Sequence, residues 1–341
     1  MTEHQPPSQD PPANRGGPPA AVPRRNDGGA GAPPEPFTGL SATGLSRSFG
    51  AVHAVVRMDL HAPAGQVTAL IGPNGSGKTT LLLMLASLLA PDTGSISVMG
   101  VDPVKNPAAA RAKIGWMPDT LGVWEALTAR EILSTLARFY HLPKAAIPGR
   151  VTELLERVKL TDLADQKARV LSRGQQQRLS LARALIHDPE VLLLDEPASG
   201  LDPGSRIALR GILRELAAEG KAIVVSSHVL AELDEIADGA VFVNKGQSVL
   251  TQSVAQAVGQ SRKYSIAALD AADLASGLAA LRVPYTEGVG RGPSVNVNVG
   301  STLEASKLLR ELITAGVAVH DFGPAAGALE ETYMSMESEQ P

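Results

Sequence analysis

One nine-residue stretch, GPNGSGKTT at residues 72–80, has the residue types and the spacing of a phosphate-binding loop. It follows the apolar run VTALIG, which is typical of a buried strand, and it opens the helix-period segment KTTLLLMLASLL. Glycines let backbone N–H groups turn toward phosphate oxygens, and the helix that follows points its positive end at them. In such a loop the Lys78 side chain reaches the terminal phosphates and the Thr79 hydroxyl faces Mg²⁺. The residues predicted to hold the phosphates are Gly72, Pro73, Asn74, Gly75, Ser76, Gly77, Lys78, Thr79 and Thr80.

A second apolar run, VLLLDEP at residues 191–197, contains two carboxylates at its end. Asp195 stands at the mouth of this predicted strand, where it can hold Mg²⁺ through water. Glu196 follows by one residue, where it can orient and deprotonate an attacking water. Taken alone, the same residues fit an ordinary loop equally well. The phosphate loop elsewhere in the chain favours the catalytic interpretation.

A third apolar run, AIVVSS, ends directly before His228. Ligands of parallel α/β sheets collect at the carboxyl ends of the strands. We therefore predict that His228 belongs to the catalytic set and contacts the γ-phosphate. A solvated or purely structural histidine is the alternative.

The segment LSRGQ at residues 171–175 starts a second helix, QQQRLSLARALI. Ser172 and Gln175 have the spacing of a capping box, which accounts for both of them. Gly174 is not accounted for in this way, because glycine near a helix start costs about 1 kcal/mol relative to alanine. A glycine leaves backbone N–H groups open to close approach by a ligand. Since the chain's own phosphate loop already wraps a nucleotide, we expect this helix start to face a nucleotide held by another copy.

Five segments occur in a fixed order between residues 38 and 250: GPNGSGKTT, IGWMPD, LSRGQ, VLLLDEP and SSH. With SGLD following the acidic pair, the chain resembles the nucleotide-binding subunits of ATP-binding-cassette (ABC) transporters, in particular those of type-2 exporters. The resemblance implies an ATPase coupled to transport, with ATP and Mg²⁺ bound. It also implies that two cassettes pack head to tail. Each ATP then lies between the phosphate loop of one copy and the LSGGQ-type helix start of the other.

The same resemblance assigns further residues to the site. Ser172, Gly174 and Gln175 would complete the partner's nucleotide site, and Asp202, within SGLD, would lie across the dimer interface. Phe49 would stack on the adenine, a role that suits an aromatic ring. Simple packing ahead of a strand is the alternative for this phenylalanine.

Two positions depart from the family pattern. Arg173 stands where the family usually has glycine, so its bulk could alter closure of the dimer or add a cation near phosphate. Asp119, at the end of IGWMPD, stands where the family usually has glutamine. An aspartate can still bind Mg²⁺, but it adds a negative charge beside ATP. Both substitutions resemble those of type-2 exporters, whose ATPase is a separate chain.

A membrane partner is predicted for the segment TLGVWEALTAREIL, which follows Asp119 and carries the exposed-looking Trp124 and Leu127. By resemblance, a separate multi-span permease inserts its coupling helix here, which puts the chain at the inner, cytoplasmic face of the membrane in a homodimer or heterodimer. An ordinary helical subdomain that packs its own apolar face is the alternative for these residues. At the level of function, the alternative is a soluble ABC ATPase that drives a non-transport assembly or translation-related machine. A P-loop kinase would leave LSRGQ unexplained.

The predicted strand ends must meet at one sheet edge for these residues to act together. Buried strands alternate with helical segments, which predicts an α/β fold, namely a P-loop NTPase with a mostly parallel central sheet. Pieces at 43–49 and 55–61 predict an antiparallel β subdomain, and residues of about 119–185 a helical subdomain. After residue 261 the order β-α-β-β-α-β predicts a small ferredoxin-like α+β domain. The predicted regions are a disordered Pro/Gly-rich tail at 1–37, the ATPase domain at 38–250 and an accessory domain at 261–341.

Composition narrows the possible functions further. The 341 residues carry a net charge of −4, and 44% are apolar, which suffices for a sizeable core. This near-neutral balance lacks the clustered basic residues of nucleic-acid binding, so no such partner is expected. The sequence has no cysteine, which excludes disulfides, thiolate metal sites and a cysteine nucleophile. Its start, MTEHQPPSQD, has no signal-peptide core, and LLLMLASLLA is about half as long as the ~20 residues of a membrane span, so any link to a membrane should run through a partner.

Overall fold

The computed structural model describes residues 1–2, 38–120, 122, 124–229, 233–253, 262–287, 294–325 and 329. Apart from its first two residues, the predicted tail lies outside the described residues. All elements below belong to the compact unit that begins at Phe37.

Strands and helices alternate through the first region, within the described residues. The strands are β1 (Gly39–Phe49), β2 (Val52–Pro63), β3 (Val67–Ile71), β4 (Thr93–Val98), β5 (Ile114–Met117), β6 (Val191–Asp195), β7 (Ala222–Ser227), β8 (Gly239–Asn244) and β9 (Gln247–Ser253). The helices are α1 (Lys78–Leu85), α2 (Pro107–Lys113), α3 (Ala129–Phe139), α4 (Ile147–Arg157), α5 (Arg173–Ala184) and α6 (Pro203–Ala218). The strands form one sheet in the order β4-β1-β2-β9-β8-β3-β7-β6-β5.

The central part of this sheet is parallel, which confirms the prediction from the continuous apolar runs. β3 pairs with β7 and β8, and β6 pairs with β5 and β7. Every residue of β3, β6 and β7 is buried, because both faces of these strands are covered. The register sets Asp195 opposite Ser226, so the ends of β6 and β7 meet at one edge.

The outer part of the sheet is antiparallel, as predicted. β1 pairs with both β2 and β4, and β9 turns back against β8. β2 joins β9 through a parallel pairing of Arg57 with Gln247. The sequence pattern thus predicted β1 and β2 correctly, whereas it did not indicate β4 and β9.

Side chains on the two faces of the parallel strands pack into two separate hydrophobic cores. Ile71 and Leu194 point to the face covered by α3, α4, α5 and α6. Leu70 and Leu193 point to the other face, where α1 and the antiparallel strands pack. α3 packs on α4 and α5, so a helical subdomain is present, and α3 begins with a capping box formed by Thr128 and Glu131.

The first helix is shorter than its apolar pattern indicates. α1 ends at Leu85, and Ser87 adopts a left-handed backbone with a φ of 58°. The N–H groups of Leu88 and Leu89 both donate to the carbonyl oxygen of Leu83, and the helix ends there. The remaining apolar residues of the run belong to a turn.

The C-terminal elements form a second sheet. They are β10 (Arg262–Ala268), α7 (Ala271–Ala280), β11 (Tyr285–Glu287), β12 (Ser294–Val299), α8 (Thr302–Thr314) and β13 (Val319–Pro324). The sheet is antiparallel in the order β11-β12-β10-β13, which is the predicted ferredoxin-like arrangement. Its core includes Ile266, Leu278 and Leu312, all almost fully buried, so the leucine spacing in α8 reflects core packing as predicted.

One residue of the predicted accessory range packs elsewhere. Leu329 is fully buried in the core shared by α3, α4, α5 and α6, not in the core of the second sheet. Its backbone N–H also donates to Asp234 Oδ1 at 2.9 Å. The domain limits drawn from the sequence stay predictions.

Within the described part of the chain, no helix has both the length and the apolar character needed to cross a membrane.

Candidate nucleotide-binding and hydrolysis site

The loop between β3 and α1 contains two glycines whose left-handed backbone other residues adopt only under strain. Gly77, the N-cap of α1, has a φ of 102°, and a Cβ there would lie 2.5 Å from the carbonyl oxygen of Ala54 and 2.9 Å from the Met58 side chain. Gly75 also has a left-handed backbone, with a φ of 80°, and no atom of the described residues lies within 4 Å of its Cβ position. Glycine adopts such backbones without steric cost. The loop thus packs its backbone tightly on β2 at one point and stays open at another.

Lys78 is nearly buried within this loop, with 7% of its surface exposed. Its Nζ donates to the carbonyl oxygens of Gly72 at 2.7 Å and Pro73 at 3.1 Å. Burial lowers the pKa of Lys78, while the nearby carboxylates of Glu196 and Asp195 act in the opposite direction. A cation held against neutral carbonyls inside a loop is well matched to an incoming anion.

Asp195 joins the phosphate loop to the end of β7. Thr79 Oγ1 donates to Asp195 Oδ2 at 2.9 Å, and Ser226 Oγ donates to Asp195 Oδ1 at 2.6 Å. Both Asp195 and Ser226 are buried. Sequence reasoning missed Ser226; the parallel pairing of two strands that end in polar residues was the available signal.

Glu196 is held on three sides. Its backbone N–H donates to Ser226 Oγ at 2.9 Å, and its carbonyl accepts from Gln177 Nε2 at 3.3 Å. The carboxylate Oε2 lies 2.8 Å from His228 Nδ1. Its backbone φ of 50° is a left-handed conformation that non-glycine residues adopt at a cost of about 1–3 kcal/mol. Such strain persists only where the surroundings hold it, and it is common at active sites.

A cleft of about 420 Å³ opens in front of these groups. Most of the predicted phosphate-loop residues and both strand-end carboxylates line it, together with three residues from β2 that the sequence did not indicate. Its lining is Val52, His53, Ala54, Asn74, Gly75, Gly77, Lys78, Thr79, Thr80, Asp119, Asp195 and Glu196. Ser76, within the loop, is buried, and its hydroxyl has no hydrogen-bond partner among the described residues.

Phe49 stands apart from that lining. Its ring is 48% exposed, and the guanidinium of Arg47 lies 5.1 Å from the ring centroid. Its predicted stacking on adenine stays a prediction.

The helix start at LSRGQ forms the predicted capping box. Ser172 N–H donates to Gln175 Oε1 at 2.8 Å, and Gln175 N–H donates to Ser172 Oγ at 3.3 Å. Gly174 is buried, and a Cβ on it would lie 2.9 Å from Ser205 Oγ and 3.5 Å from Leu201 Cδ2. Close packing against α6 is therefore an intrachain reason for this glycine, which the interpretation in terms of a ligand alone did not include.

Asp202 caps α6 within its own chain. Its carboxylate accepts from Ser205 Oγ at 2.6 Å and from the Ser205 N–H at 3.0 Å. These two hydrogen bonds, that of the side chain first, lower the pKa of Asp202. None of Ser172, Gly174, Gln175 and Asp202 lines the cleft that contains the phosphate loop.

A second cavity, of about 200 Å³, lies between the sheet edge and the helical subdomain. Leu88, Trp116 and Pro118 form one side, and Leu136 and Tyr140 of the helical subdomain form the other. Trp124 is 42% exposed, as predicted. The expectation of an exposed Leu127 is wrong, since this side chain packs against the core of the helical subdomain.

Fold and site together define a P-loop nucleoside triphosphatase. The family model for ABC transporters matches residues 55–199. The chain is 32% identical over 302 residues to the daunorubicin resistance ATP-binding protein DrrA3 of Streptomyces coeruleorubidus, covering 88% of this chain and 96% of that protein. It is 41% identical over 210 residues to the sulfate/thiosulfate import ATP-binding protein CysA of Thermosynechococcus vestitus, covering 61% and 62%. A solved ATP-binding subunit of an ABC transporter matches with a TM-score of 0.60 and 29% identity, over 64% of this chain and 92% of that one.

The chain therefore belongs to the ABC transporter family, as an ATP-binding subunit with ATPase activity. This assignment favours transport over the non-transport machine that the sequence left as an alternative. Both the resemblance and the fold class predicted from the sequence are confirmed.

Proposed function

We propose that this subunit powers an exporter, and that two cassettes close around two molecules of ATP to drive a separate membrane subunit. The observation that carries the proposal is the position of the two helix starts. The start of α1 lines the nucleotide cleft, whereas the LSRGQ start of α5 contributes nothing to that lining. In a head-to-tail pair, Ser172, Gly174 and Gln175 of one copy would meet the nucleotide bound by the other.

Within one copy, the cleft has the groups that ATP and Mg²⁺ require. The hydroxyl of Thr79 and the carboxylate of Asp195 are hard oxygen ligands already within 2.9 Å of each other, and Asp119 adds a carboxylate to the lining. When bound, Mg²⁺ neutralises charge on the phosphate oxygens. The described residues contain no cluster of three or more His, Cys, Asp or Glu suited to a metal ion. Magnesium held mainly by one or two carboxylates and by phosphates needs no such cluster.

Glu196 acts as the base in this proposal. The backbone contacts on both sides of it fix its position, and its carboxylate can accept a proton from an attacking water. The His228 side chain, 49% exposed and bonded to that carboxylate, can orient it and contact the γ-phosphate. Loss of the γ-phosphate removes contacts made by both copies, so the closed pair then opens.

The membrane subunit would dock beside the helical subdomain, at the exposed Trp124 and at the cavity between Trp116 and Tyr140. An exposed aromatic side chain and a largely apolar cavity both suit the insertion of a short helix. This contact would hold the chain at the inner face of the membrane.

Export is the direction favoured by a relative that shares most of the chain. DrrA3 matches the C-terminal region as well as the cassette, and its name refers to drug resistance. CysA, named for import, matches only about three fifths of the chain. Removal of a toxic compound from the cell is the direction in which an ATP-driven transporter confers resistance.

A Glu196→Gln variant tests the catalytic assignment. It should bind ATP, stop turning over and accumulate as an ATP-locked dimer, because the side chain keeps its shape but cannot accept a proton. Steady-state ATPase assays and gel filtration with ATP measure both effects. Glu156→Gln, at an exposed position on α4, is the matched control. Wild-type turnover in Glu196→Gln would refute the role.

A mixed pair tests the shared site. Ser172→Arg subunits are combined with Lys78→Ala subunits, so that one composite site carries both lesions and the other carries neither. ATPase activity should recover relative to each variant alone. An absence of recovery, with heterodimers verified by differential tags, would contradict the two-copy arrangement.

A further inference from the structure

The first turns of α5 are joined by side chains to the loop between β6 and α6. This loop comprises residues 196–202 and runs from the carboxylate of Glu196 to the cap of α6. Three contacts span the two segments, all from the same side of α5, where residues one turn apart face the same way. None of the three is needed to form α5 itself.

The first contact is made by Arg173. Its Nε donates to the carbonyl oxygen of Ser199 at 3.2 Å. A Cβ on Gly200 would lie 2.5 Å from that Nε and 3.0 Å from Arg173 Cδ, so the arginine lies directly on the glycine. Gly200 also has a left-handed φ of 69°, which places the loop backbone under the side chain.

The second and third contacts lie deeper. Gly174 packs against Leu201, as described above. One turn after Arg173, Gln177 is 2% exposed and donates from Nε2 to the carbonyl of Glu196. That carbonyl belongs to the strained residue of the site, whose N–H is held from the opposite side by Ser226.

We propose that Arg173 and Gln177 are positioning residues that make the LSRGQ helix start and the Glu196 loop move as one unit. The inference rests on the proposed two-copy site. A helix start directed at the partner's nucleotide is then bonded, through these two side chains, to the base beside the chain's own nucleotide. Movement of α5 on closure reaches Glu196 through the Gln177 bond and the 199–202 turn through the Arg173 bond.

Two substitutions of Arg173 separate this role from that of a cation near phosphate. Gln carries its side-chain NH₂ at the same number of bonds from Cα as Arg Nε, so Arg173→Gln keeps a donor for Ser199 and loses the charge. Lys has only a methylene there, so Arg173→Lys keeps the charge and loses that donor. We expect Arg173→Gln to stay within about twofold of wild-type kcat and Arg173→Lys to fall about fivefold, the effect of one lost hydrogen bond. The affinity of the subunit for a fluorescent ATP analogue should be unchanged in both.

Gln177→Met supplies an independent arm, because methionine fills a similar volume without a donor. It should lower kcat about fivefold while leaving KM for ATP within about twofold. Arg169→Lys, at an exposed arginine before α5, is the control and should match wild type. Thermal melts of all variants separate misfolding from mispositioning.

The outcomes are distinct. If Arg173→Lys is active and Arg173→Gln is inactive, Arg173 acts through its charge and the proposal is overturned. Full activity in both Arg173→Lys and Gln177→Met would also overturn it. These results leave the proposed function standing if Glu196→Gln is inactive. Wild-type turnover in Glu196→Gln instead removes the proposed function itself.

Discussion

The starts of α1 and α5 both present backbone N–H groups, but only the start of α1 faces the nucleotide cleft. The first N–H groups of a helix lack partners within the helix, and they carry the positive end of the helix dipole. At α1 the N-cap is Gly77, with no side chain to satisfy these groups, and a cleft lies in front of them. At α5 the capping box pairs two of these groups, the N–H of Ser172 and the N–H of Gln175, from within the chain.

This difference separates a ligand cradle from an interface element. An uncapped start inside a cleft leaves its donors for an anion, and the buried Lys78 adds a full charge. The capped start of α5 has fewer free donors and lies outside that cleft. It can contact a nucleotide only if a second copy brings its bound nucleotide to this surface.

The largest expected effect comes from removing the cation at α1. Lys78→Ala should lower ATP hydrolysis by at least about 100-fold, because the remaining neutral N–H groups cannot replace a charge contact to the terminal phosphates. Kinetics and ATP-analogue binding measure the loss. Lys144→Ala, an exposed lysine ahead of α4, is the control. A loss smaller than about tenfold would mean that the uncapped backbone alone makes the cradle, and the contrast with α5 would weaken.

An intermediate effect is expected from adding a methyl group at the start of α5. Gly174→Ala gains up to about 1 kcal/mol of helix propensity but forces a contact with Ser205 Oγ, and overpacking costs about 1–3 kcal/mol. The net loss of unfolding free energy should be about 1 kcal/mol. In a Ser205→Ala background the nearest contact becomes the Cβ at 3.4 Å, so the same substitution should be neutral or stabilising.

Urea unfolding of the four proteins in this cycle measures the coupling. An unchanged loss in the Ser205→Ala background would remove α6 as the reason for the glycine. A stable double variant that still lacks turnover would show that the partner's nucleotide needs Gly174 as well.

Continuous patterns in the sequence predicted most of the fold, whereas contacts between distant residues did not follow from them. The buried runs of β3, β6 and β7 predict a parallel sheet, and its strand ends predict where Asp195, Glu196 and His228 meet. Nothing local in the sequence indicates that Ser226 bonds Asp195 or that Gln177 bonds the Glu196 carbonyl. Such partners depend on strand register and on how α5 packs.

The surroundings of two leucines also depend on contacts between distant residues. The sequence predicts that Leu127 is exposed beside Trp124, yet this side chain is partly buried and packs against the core. Leu329 reads as part of the accessory domain, yet it packs into the cassette core. Both depend on which surface is adjacent in three dimensions, which single-sequence periodicity does not encode.

The smallest expected effect concerns the charge that caps α6, the helix against which the start of α5 packs. Hydrogen bonds from Ser205 lower the pKa of Asp202 below its ordinary value of 3.8. A carboxyl group with a lowered pKa in the folded state stabilises the protein above its unfolded-state pKa, and this contribution is lost as pH falls through the folded-state value. Asp202→Asn keeps a capping oxygen but removes the charge, so it isolates this contribution.

Asp202→Asn should therefore be slightly less stable than wild type from pH 7 down to about pH 4, with a constant gap. The gap should narrow below pH 3.8, where the unfolded chain begins to take up a proton, and close as pH falls through the lowered pKa of the folded-state carboxyl. Urea midpoints of both proteins across this range provide the measurement, with Asp162→Asn at another exposed aspartate as control. A gap that widens as pH falls would mean that the charge is unfavourable at this helix start. The capped starts of α5 and α6 would then differ in kind, because only the neutral cap of α5 would be a stabilising one.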